Sequence, residues 1–220
     1  MTASSTPAAP TPVVRAPRCS DVPAIYRICF ESGFTPEQIA ARRPTPELLG
    51  HVWAGPYLAF APEWCRAVVD VQGVAGYLLA VPSTTAFERW AAAEWWPALR
   101  ADHPADAPAL SPADRDVAAR FVAPPSSPPA LLDAYPAHLH IDFLDRLRGL
   151  GFARVLIDDL CERLAAAGVP GVHLGVSPGN TNAVGLYRHL GFEGLDRDAH
   201  TVWMGRRTAR TEPARDPGQG

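Results

Sequence analysis

The sequence predicts a mixed α/β fold, in the α+β sense, and three observations carry that expectation. Strand-like apolar runs alternate with segments of helical periodicity along most of the chain. Two of the strand runs, "WCRAVVD" and "GVAGYLLAVP", are joined by a Val-Gln-Gly turn and so form a hairpin. Further on, "HLHIDFL", a loop with two glycines, and an amphipathic helix follow in direct succession.

The elements follow in order. "VVRA" is a short strand. "SDVPAIYRICFESG" is a helix with Ser20 as its cap, Ile25, Ile28 and Cys29 on one face, and Gly33 as its stop. "TPELLGHVWAGPYLAFAPE" is a broken helical segment, and the hairpin comes next. Residues 84–100 are helical, with Phe87, Trp90 and Ala91 at helical spacing. "SPADRDVAARF" starts a second helix with Ser111 at the cap, Pro112 in the first turn and Asp114 just inside. "APPSSPPA" is a surface loop. The stretch 82–136 interrupts the strand series and holds too few apolar residues for a core of its own, so it is expected to act as a lid or substrate wall.

"HLHIDFL" alternates Leu139, Ile141 and Phe143 against His138, His140 and Asp142. The helix over residues 152–167 buries Phe152, Leu156, Leu160 and Leu164 as a stripe and stops at Gly168, with Pro170 behind it. "GVHLGVS" is a strand, Asn180 caps a short helix ending at Gly191, and "FEGL" and "HTVWMGR" are a final strand pair. The expected organisation is a disordered tail over residues 1–12, one domain over 13–206 with its helical insertion at 82–136, and a second tail over 207–220.

Composition removes several function classes. The formal net charge is −3 with no block of like charges, which argues against a nucleic-acid partner. No apolar run has membrane-spanning length, and the start of the chain has neither a basic segment nor an apolar core. All 20 basic residues are Arg. This points to a compositional bias and discourages reading any single Arg as chosen over Lys. Cys19, Cys29, Cys65 and Cys161 show no close pairing, so reduced, mostly buried thiols in a cytoplasmic protein are expected.

The glycine loop is the first chemical signal. Arg146, Gly149 and Gly151 form R-x-x-G-x-G between the strand and the helix. The first amides of a helix have no internal partner and sit in positive potential, and glycines let a phosphate approach them. A dinucleotide fingerprint is not met, because Arg154 stands where its third glycine belongs. A G-x-x-x-x-G-K-[ST] run is absent as well. Alone, the loop reads better as a plain turn.

A second cluster shifts the balance. "NTNAVGLYRHLGFEG" sets Asn180, Ala183, Leu186, Tyr187, Gly191 and Phe192 behind the next strand. Together the two segments resemble the GNAT superfamily of acyl-CoA-dependent N-acyltransferases, whose hallmarks are strand–[RQ]-x-x-G-x-[GA]–helix and N-x-x-A-x-x-L-Y-x-x-x-G-F. Every named position of both is filled. The element order fits nearly the whole chain apart from the tails and the insertion. "YPAHLHID" and the Trp-rich insertion more narrowly resemble the acetyltransferase-like domain of O-GlcNAcases and its free-standing bacterial relatives.

The resemblance implies a mixed, mostly antiparallel central sheet flanked by helices, with a helical insertion before the cofactor-binding strand. It implies acetyl-CoA as cofactor, its pyrophosphate cradled by the amides of Leu147, Arg148, Gly149, Leu150, Gly151, Phe152 and Ala153, with Arg146 beside them. Backbone groups of Ile141 and Phe143 would pair with the pantetheine arm, and an amide near Phe143 would polarise the thioester carbonyl. Asn180 would touch the cofactor arm and Tyr187 would reach the sulfur.

In such a transfer an amine with a pKa of about 10.4 must lose its proton, whereas a thiol leaves with a pKa of roughly 8.5. The base and the oxyanion donor therefore matter more than the acid, Tyr187. Asp142 is the first candidate base, set against an ordinary salt-bridged strand carboxylate, and His140 is the second, set against a packed strand histidine. Against the bland readings of a core aromatic and a solvated charge, the motif context favours function for Tyr187 and Arg146, while Asn180 can be a helix cap and a cofactor contact together. His138, His140 and His173 could form a metal trio, but the family uses no metal and no metal site is expected. Trp90, Trp95 and Trp96 read as core of the insertion before they read as a cage for a sugar or cationic amine.

The expected function is an acetyl-CoA-dependent N-acetyltransferase passing the acetyl group directly to an amine acceptor, small molecule or protein. The rival is an acyl-CoA-binding pseudoenzyme or interaction domain; a sugar-binding accessory domain rests on the tryptophans alone. No membrane partner is expected, and a homodimer stays open.

Overall fold

A computed structural model describes residues 11–32, 37, 39–40, 45–108 and 110–208. Its centre is a seven-stranded sheet of β1 (Val13–Arg15), β2 (Arg66–Asp70), β3 (Gly73–Val81), β4 (Ala137–Phe143), β5 (Gly171–Val176), β6 (Glu193–Arg197) and β7 (Val202–Arg207), in the spatial order β1-β2-β3-β4-β5-β7-β6. Every neighbouring pair is antiparallel except β4–β5. The mixed, mostly antiparallel sheet expected from the sequence is therefore observed.

The helices divide between the two faces. Helices α1 (Val22–Ser32), α2 (Glu47–Trp53), α3 (Gly55–Phe60), α4 (Thr84–Trp90), α5 (Trp96–Asp102) and α6 (Pro112–Val122) cover one face, where Tyr77, Leu79 and Val81 of β3 point. Helix α7 (Phe152–Ala166) covers the other with α8 (Thr181–His189) beside it, over Leu78 and Ala80 of β3 and Leu139 of β4. The period of two along each strand produces this split. The insertion's Phe87, Trp96, Leu99 and Phe121 lie in the same cluster as Ile25 and Ile28, so its few apolar side chains complete a shared core.

On α7 the stripe Leu156, Leu160 and Leu164 is fully buried and Ile157 joins it. Truncating one such leucine to alanine costs roughly 2–5 kcal/mol. Phe152 is only half-buried, because it opens the helix at the sheet's end, where the core gives way to the glycine loop. The helix ends in a Schellman motif: Gly168 at φ +73° lets Val169 N–H reach the Leu164 carbonyl and Gly168 N–H reach that of Ala165.

Two local expectations are corrected. Ser20 is not a helix cap. It lies inside a 3₁₀ turn, Cys19–Asp21, and the Asp21 carboxylate takes the Arg18 N–H at 2.7 Å while gripping Arg15 with both oxygens. A carboxylate can accept all three bonds where one hydroxyl cannot. The helical run over residues 84–100 is also broken by a π-turn at Ala91–Trp95 before it resumes to Asp102. Pro97 has no N–H and its ring crowds the preceding turn, and the wider turn absorbs the misfit. Gly33 falls outside the described residues, and so does most of both expected tails.

Cys29, Cys65 and Cys161 are buried thiols and Cys19 is exposed. Burial pushes Cys29 and Cys65 up to about 12, which removes them as ready nucleophiles. No helix among the described residues is long and apolar enough to cross a membrane.

Candidate active site

Strands β4 and β5 touch only at their beginnings, through Ala137↔Val172 and His138↔His173. Beyond that point they diverge. The β3–β4 register sets Tyr77 opposite Asp142, Leu79 opposite His140 and Val81 opposite His138, and Leu144 N–H bonds the Ala75 carbonyl. In an antiparallel ladder the hydrogen-bonded pairs recur every second residue. The backbone groups of Leu139, Ile141 and Phe143 therefore face away from β3, toward the gap beside β5. Ile141 and Phe143 thus present an unpaired strand edge in that gap, ready to receive an extended ligand.

The loop after β4 continues this edge. Gly149 and Gly151 have φ of +77° and +80°, and a Cβ on either would meet nothing within 4 Å. Both glycines are thus required by conformation, and both border open space. Among the described residues the amides of Gly149, Gly151, Phe152 and Ala153 have no backbone acceptor, as expected at a helix start. They form a cradle for an anion at the positive end of the 15-residue α7. The neighbouring amides of Leu147, Arg148 and Leu150 are committed to the carbonyls of Leu144, Asp145 and Leu147, so those three residues shape the loop through internal bonds. The Leu147 side chain anchors the loop in the core, while Leu150 is exposed.

Arg146 is held by Asp70 at the tip of the β2–β3 hairpin, 2.5 Å from Nε to Oδ2, and the guanidinium keeps the Asp70 carboxyl below its usual range. This side chain ties the loop to the hairpin. Arg148 pairs with Asp145 on the surface.

Asn180 caps α8, its Oδ1 accepting the Ala183 N–H at 3.1 Å. The other end of α8 explains the spacing Y-x-x-x-G-F. Gly191 at φ +85° lets Phe192 N–H reach the Tyr187 carbonyl at 2.9 Å, and the Phe192 ring packs on Tyr187 with centroids 5.6 Å apart. That is again a Schellman stop with its apolar contact, and it fixes the tyrosine at both backbone and ring. Burial, with a further contribution from the Asp142 carboxylate, holds the Tyr187 phenol well above its ordinary range. Like any tyrosine it is protonated at neutral pH and can donate a hydrogen bond, and burial makes it a weaker acid than a free phenol.

On the other face of β4, Asp142 Oδ2 accepts the Tyr77 hydroxyl at 2.5 Å, and that hydroxyl lies 3.2 Å from His140 Nδ1. His140 and Asp142 are themselves 3.5 Å apart, and Trp53 stacks on His140. Burial pushes the Asp142 carboxyl up, opposed by His140, the Tyr77 and Ser32 hydroxyls and Arg148. A carboxylate tuned upward is a stronger base near neutrality. Sequence reasoning missed Tyr77, since "GYLLAV" reads as plain strand core; the signal lay in the register that pairs it with Asp142.

His140 and His138 open into a cavity of about 510 Å³ between the sheet and the insertion. His138 bonds Thr84 through Nδ1, and burial with its two histidine neighbours pushes it down to about 3. His173 donates from Nδ1 to the Tyr135 carbonyl and engages the Ser127 hydroxyl through Nε2. No cluster of metal-ligating side chains forms among the described residues. Trp96 is core and cavity wall at once, Trp90 is half-buried against the core, and Trp95 donates to the His51 carbonyl.

Known proteins place this geometry. Residues 131–192 match the model of the acetyltransferase (GNAT) family. The structure titled SsHAT shares 31% identity over 91% of this chain and 100% of its own, with a TM-score of 0.75. Two more distant structures share the fold. One titled as an acetyltransferase is 19% identical over 90% of this chain and all of its own, with a TM-score of 0.55. The PaiA N-acetyltransferase of Thermoplasma acidophilum, in complex with coenzyme A, is 11% identical over 90% and 99%, with a TM-score of 0.54. The splayed β4–β5 pair and the glycine loop thus lie in a fold shared with solved acetyltransferases. This chain belongs to the GNAT acetyltransferase family.

Proposed function

We propose that this protein is an acetyl-CoA-dependent N-acetyltransferase that passes the acetyl group directly to an amine acceptor. The observation that carries the reading is continuity. The unpaired edge of Ile141 and Phe143 leads into a loop whose Gly149, Gly151, Phe152 and Ala153 amides have no backbone acceptor among the described residues. Extended pantetheine and a pyrophosphate fit those two features in that order, since one needs strand-like hydrogen bonds and the other needs amides at a helix start. The open space over both glycines agrees with that fit.

When bound, acetyl-CoA supplies an activated acetyl group on a thiol leaving group. The chain's residues supply the rest. Ile141 and Phe143 hold the arm by backbone bonds, and the amide near Phe143 stabilises charge on the acyl oxygen. Asp142 takes the proton of the acceptor amine, directly or through a water, with Tyr77 and His140 fixing its orientation. Tyr187, protonated at neutral pH, returns a proton to the leaving sulfur. Arg146 and Asn180 act chiefly by shaping the two ends of the cofactor cleft. No cysteine is placed to carry the acetyl group, which is why transfer is direct. One domain over residues 13–206, acting in the cytoplasm, and kinship with the acetyltransferase-like domain of O-GlcNAcases belong to the same reading.

The test is calorimetric titration with acetyl-CoA, then a thiol-release screen over a panel of amines. Saturable binding with acetyl transfer to at least one amine is expected. Binding without transfer to any acceptor supports the pseudoenzyme, and absence of binding removes the cofactor from the reading.

A further inference from the structure

The cavity beside His140 holds a carboxylate for which the transfer chemistry has no use. Glu88, in the last turn of α4, is half-buried and lines this cavity. Its Oε1 accepts the Ser127 N–H at 3.0 Å, which pins the 125–127 segment over the cavity. Among the described residues no Arg or His stands within ion-pair distance of it. Three aromatic side chains, Tyr57, Phe87 and Trp96, line the same cavity, and Asp198 is a second carboxylate on its wall. The Glu88 charge adds to the burial that holds the Tyr57 phenol far above its ordinary range.

A half-buried carboxylate without a counter-ion is costly, and desolvation raises its pKa here. Aromatic side chains in the same cavity as such a charge suit a cationic group, which their ring faces can also attract. Arg120, the cation on the cavity wall, is exposed and lies over the Trp53 ring, 5.7 Å from its centroid, and does not neutralise Glu88. The position of Glu88 is also informative. Thr84, one turn earlier on α4, is bonded to His138, and His140 lies two strand residues beyond. The carboxylate therefore stands apart from His140, separated along the fold by one helix turn of α4 and two residues of β4.

Resting on the N-acetyltransferase reading, we propose that Glu88 and the aromatic wall of Tyr57, Phe87 and Trp96 bind a second cationic group of the acceptor, so that the acceptor is a diamine. One amine then lies beside Asp142 and His140 while the other, still protonated, pairs with Glu88.

The experiment compares hexamethylenediamine with hexylamine, which match in chain length and differ in the second charge. Acetyl transfer from acetyl-CoA is followed for the full chain and for Glu88→Gln. Gln keeps the oxygen that Ser127 needs, and a thermal melt checks that the variant is folded. The parent should favour the diamine by tenfold or more in kcat/KM, and the variant should bring the diamine down toward the monoamine. No preference in the parent, or an equal fall for both amines in the variant, overturns the proposal, the second marking Glu88 as a mere anchor of the loop. If the parent transfers to neither amine, the transferase reading is judged separately by the wider amine screen. Calorimetry with hexamethylenediamine then decides: binding lost in Glu88→Gln sustains the cation site, and no binding to the parent, or binding that survives the substitution, overturns it.

Discussion

The Tyr77 hydroxyl donates to Asp142 Oδ2 at 2.5 Å from directly across the β3–β4 ladder. Tyr77 is fully buried, and its own phenol is raised well above the ordinary range, first by burial and then by the Asp142 charge. It therefore remains a donor at any working pH. The Asp142 carboxyl is caught between opposing influences, with desolvation raising its pKa and His140, the Tyr77 bond and, more weakly, Ser32 and Arg148 lowering it. Which influence yields determines how basic the site is at neutrality.

Tyr77→Phe removes the bond and keeps the ring. With a lowering influence gone, the Asp142 pKa rises further. A base works only when ionised, so the rising limb of the pH–rate profile should move to higher pH than in the parent. The cost in stability should be about 1.5–3 kcal/mol, because the lost bond ends on a buried carboxylate. A pH–rate profile and a denaturant melt check both, and an unmoved limb would show that Tyr77 does not act through Asp142.

Gly149 and Gly151 make a separate prediction. Gly151→Ala forces a Cβ into left-handed backbone and should cost about 1–2 kcal/mol. Gly149→Asp adds a carboxylate where the cradle leaves space for a phosphate, and it should abolish acetyl-CoA binding in a protein that still folds. Calorimetry on the folded variant reads the outcome. Unchanged affinity would remove the cradle from the cofactor site.

The sequence makes some of this legible and not the rest, for physical reasons. The alternation that separates His140 and Asp142 from Ile141 and Phe143 is strictly local, and the structure keeps it. The two glycine stops, Gly168 and Gly191, are local as well, because only backbone conformation is at stake. The divergence of β4 from β5 is a relation between strands that the whole of α7 separates in the chain, and no local pattern encodes it. Tyr77 and Glu88 escaped for the same reason. Each looks ordinary in its own segment and gains meaning from a neighbour brought by the fold, Asp142 for one and Ser127 for the other. Arg146 shows the converse: its motif position suggests a ligand contact, while a distant hairpin carboxylate takes its guanidinium.

Tyr187→Phe tests the acid. Phe keeps the packing on Phe192 and the backbone bond that ends α8, so folding and acetyl-CoA affinity should hardly change. Turnover should drop by up to about a hundredfold, the lower end of what a general acid contributes. Steady-state kinetics on an acceptor from the screen separates the two readings, and full turnover would leave Tyr187 a packing residue.

Asp142→Asn distinguishes the two candidate bases. The substitution preserves shape and keeps an oxygen for the Tyr77 hydroxyl, so the fold should survive. It removes the negative charge that Asp142 sets beside His140, whose Nδ1 lies 3.5 Å from Oδ2. If Asp142 takes the amine proton, kcat should fall by about 10²–10⁴-fold with acetyl-CoA affinity intact. The parent's rate should climb with pH through the Asp142 pKa, which burial raises above the ordinary carboxylate value, and that limb should vanish in the variant. His140→Gln is the matching control, because it leaves Asp142 and Tyr77 paired. A larger loss in His140→Gln than in Asp142→Asn, with the limb persisting in the latter, would make His140 the base and Asp142 the residue that orients it.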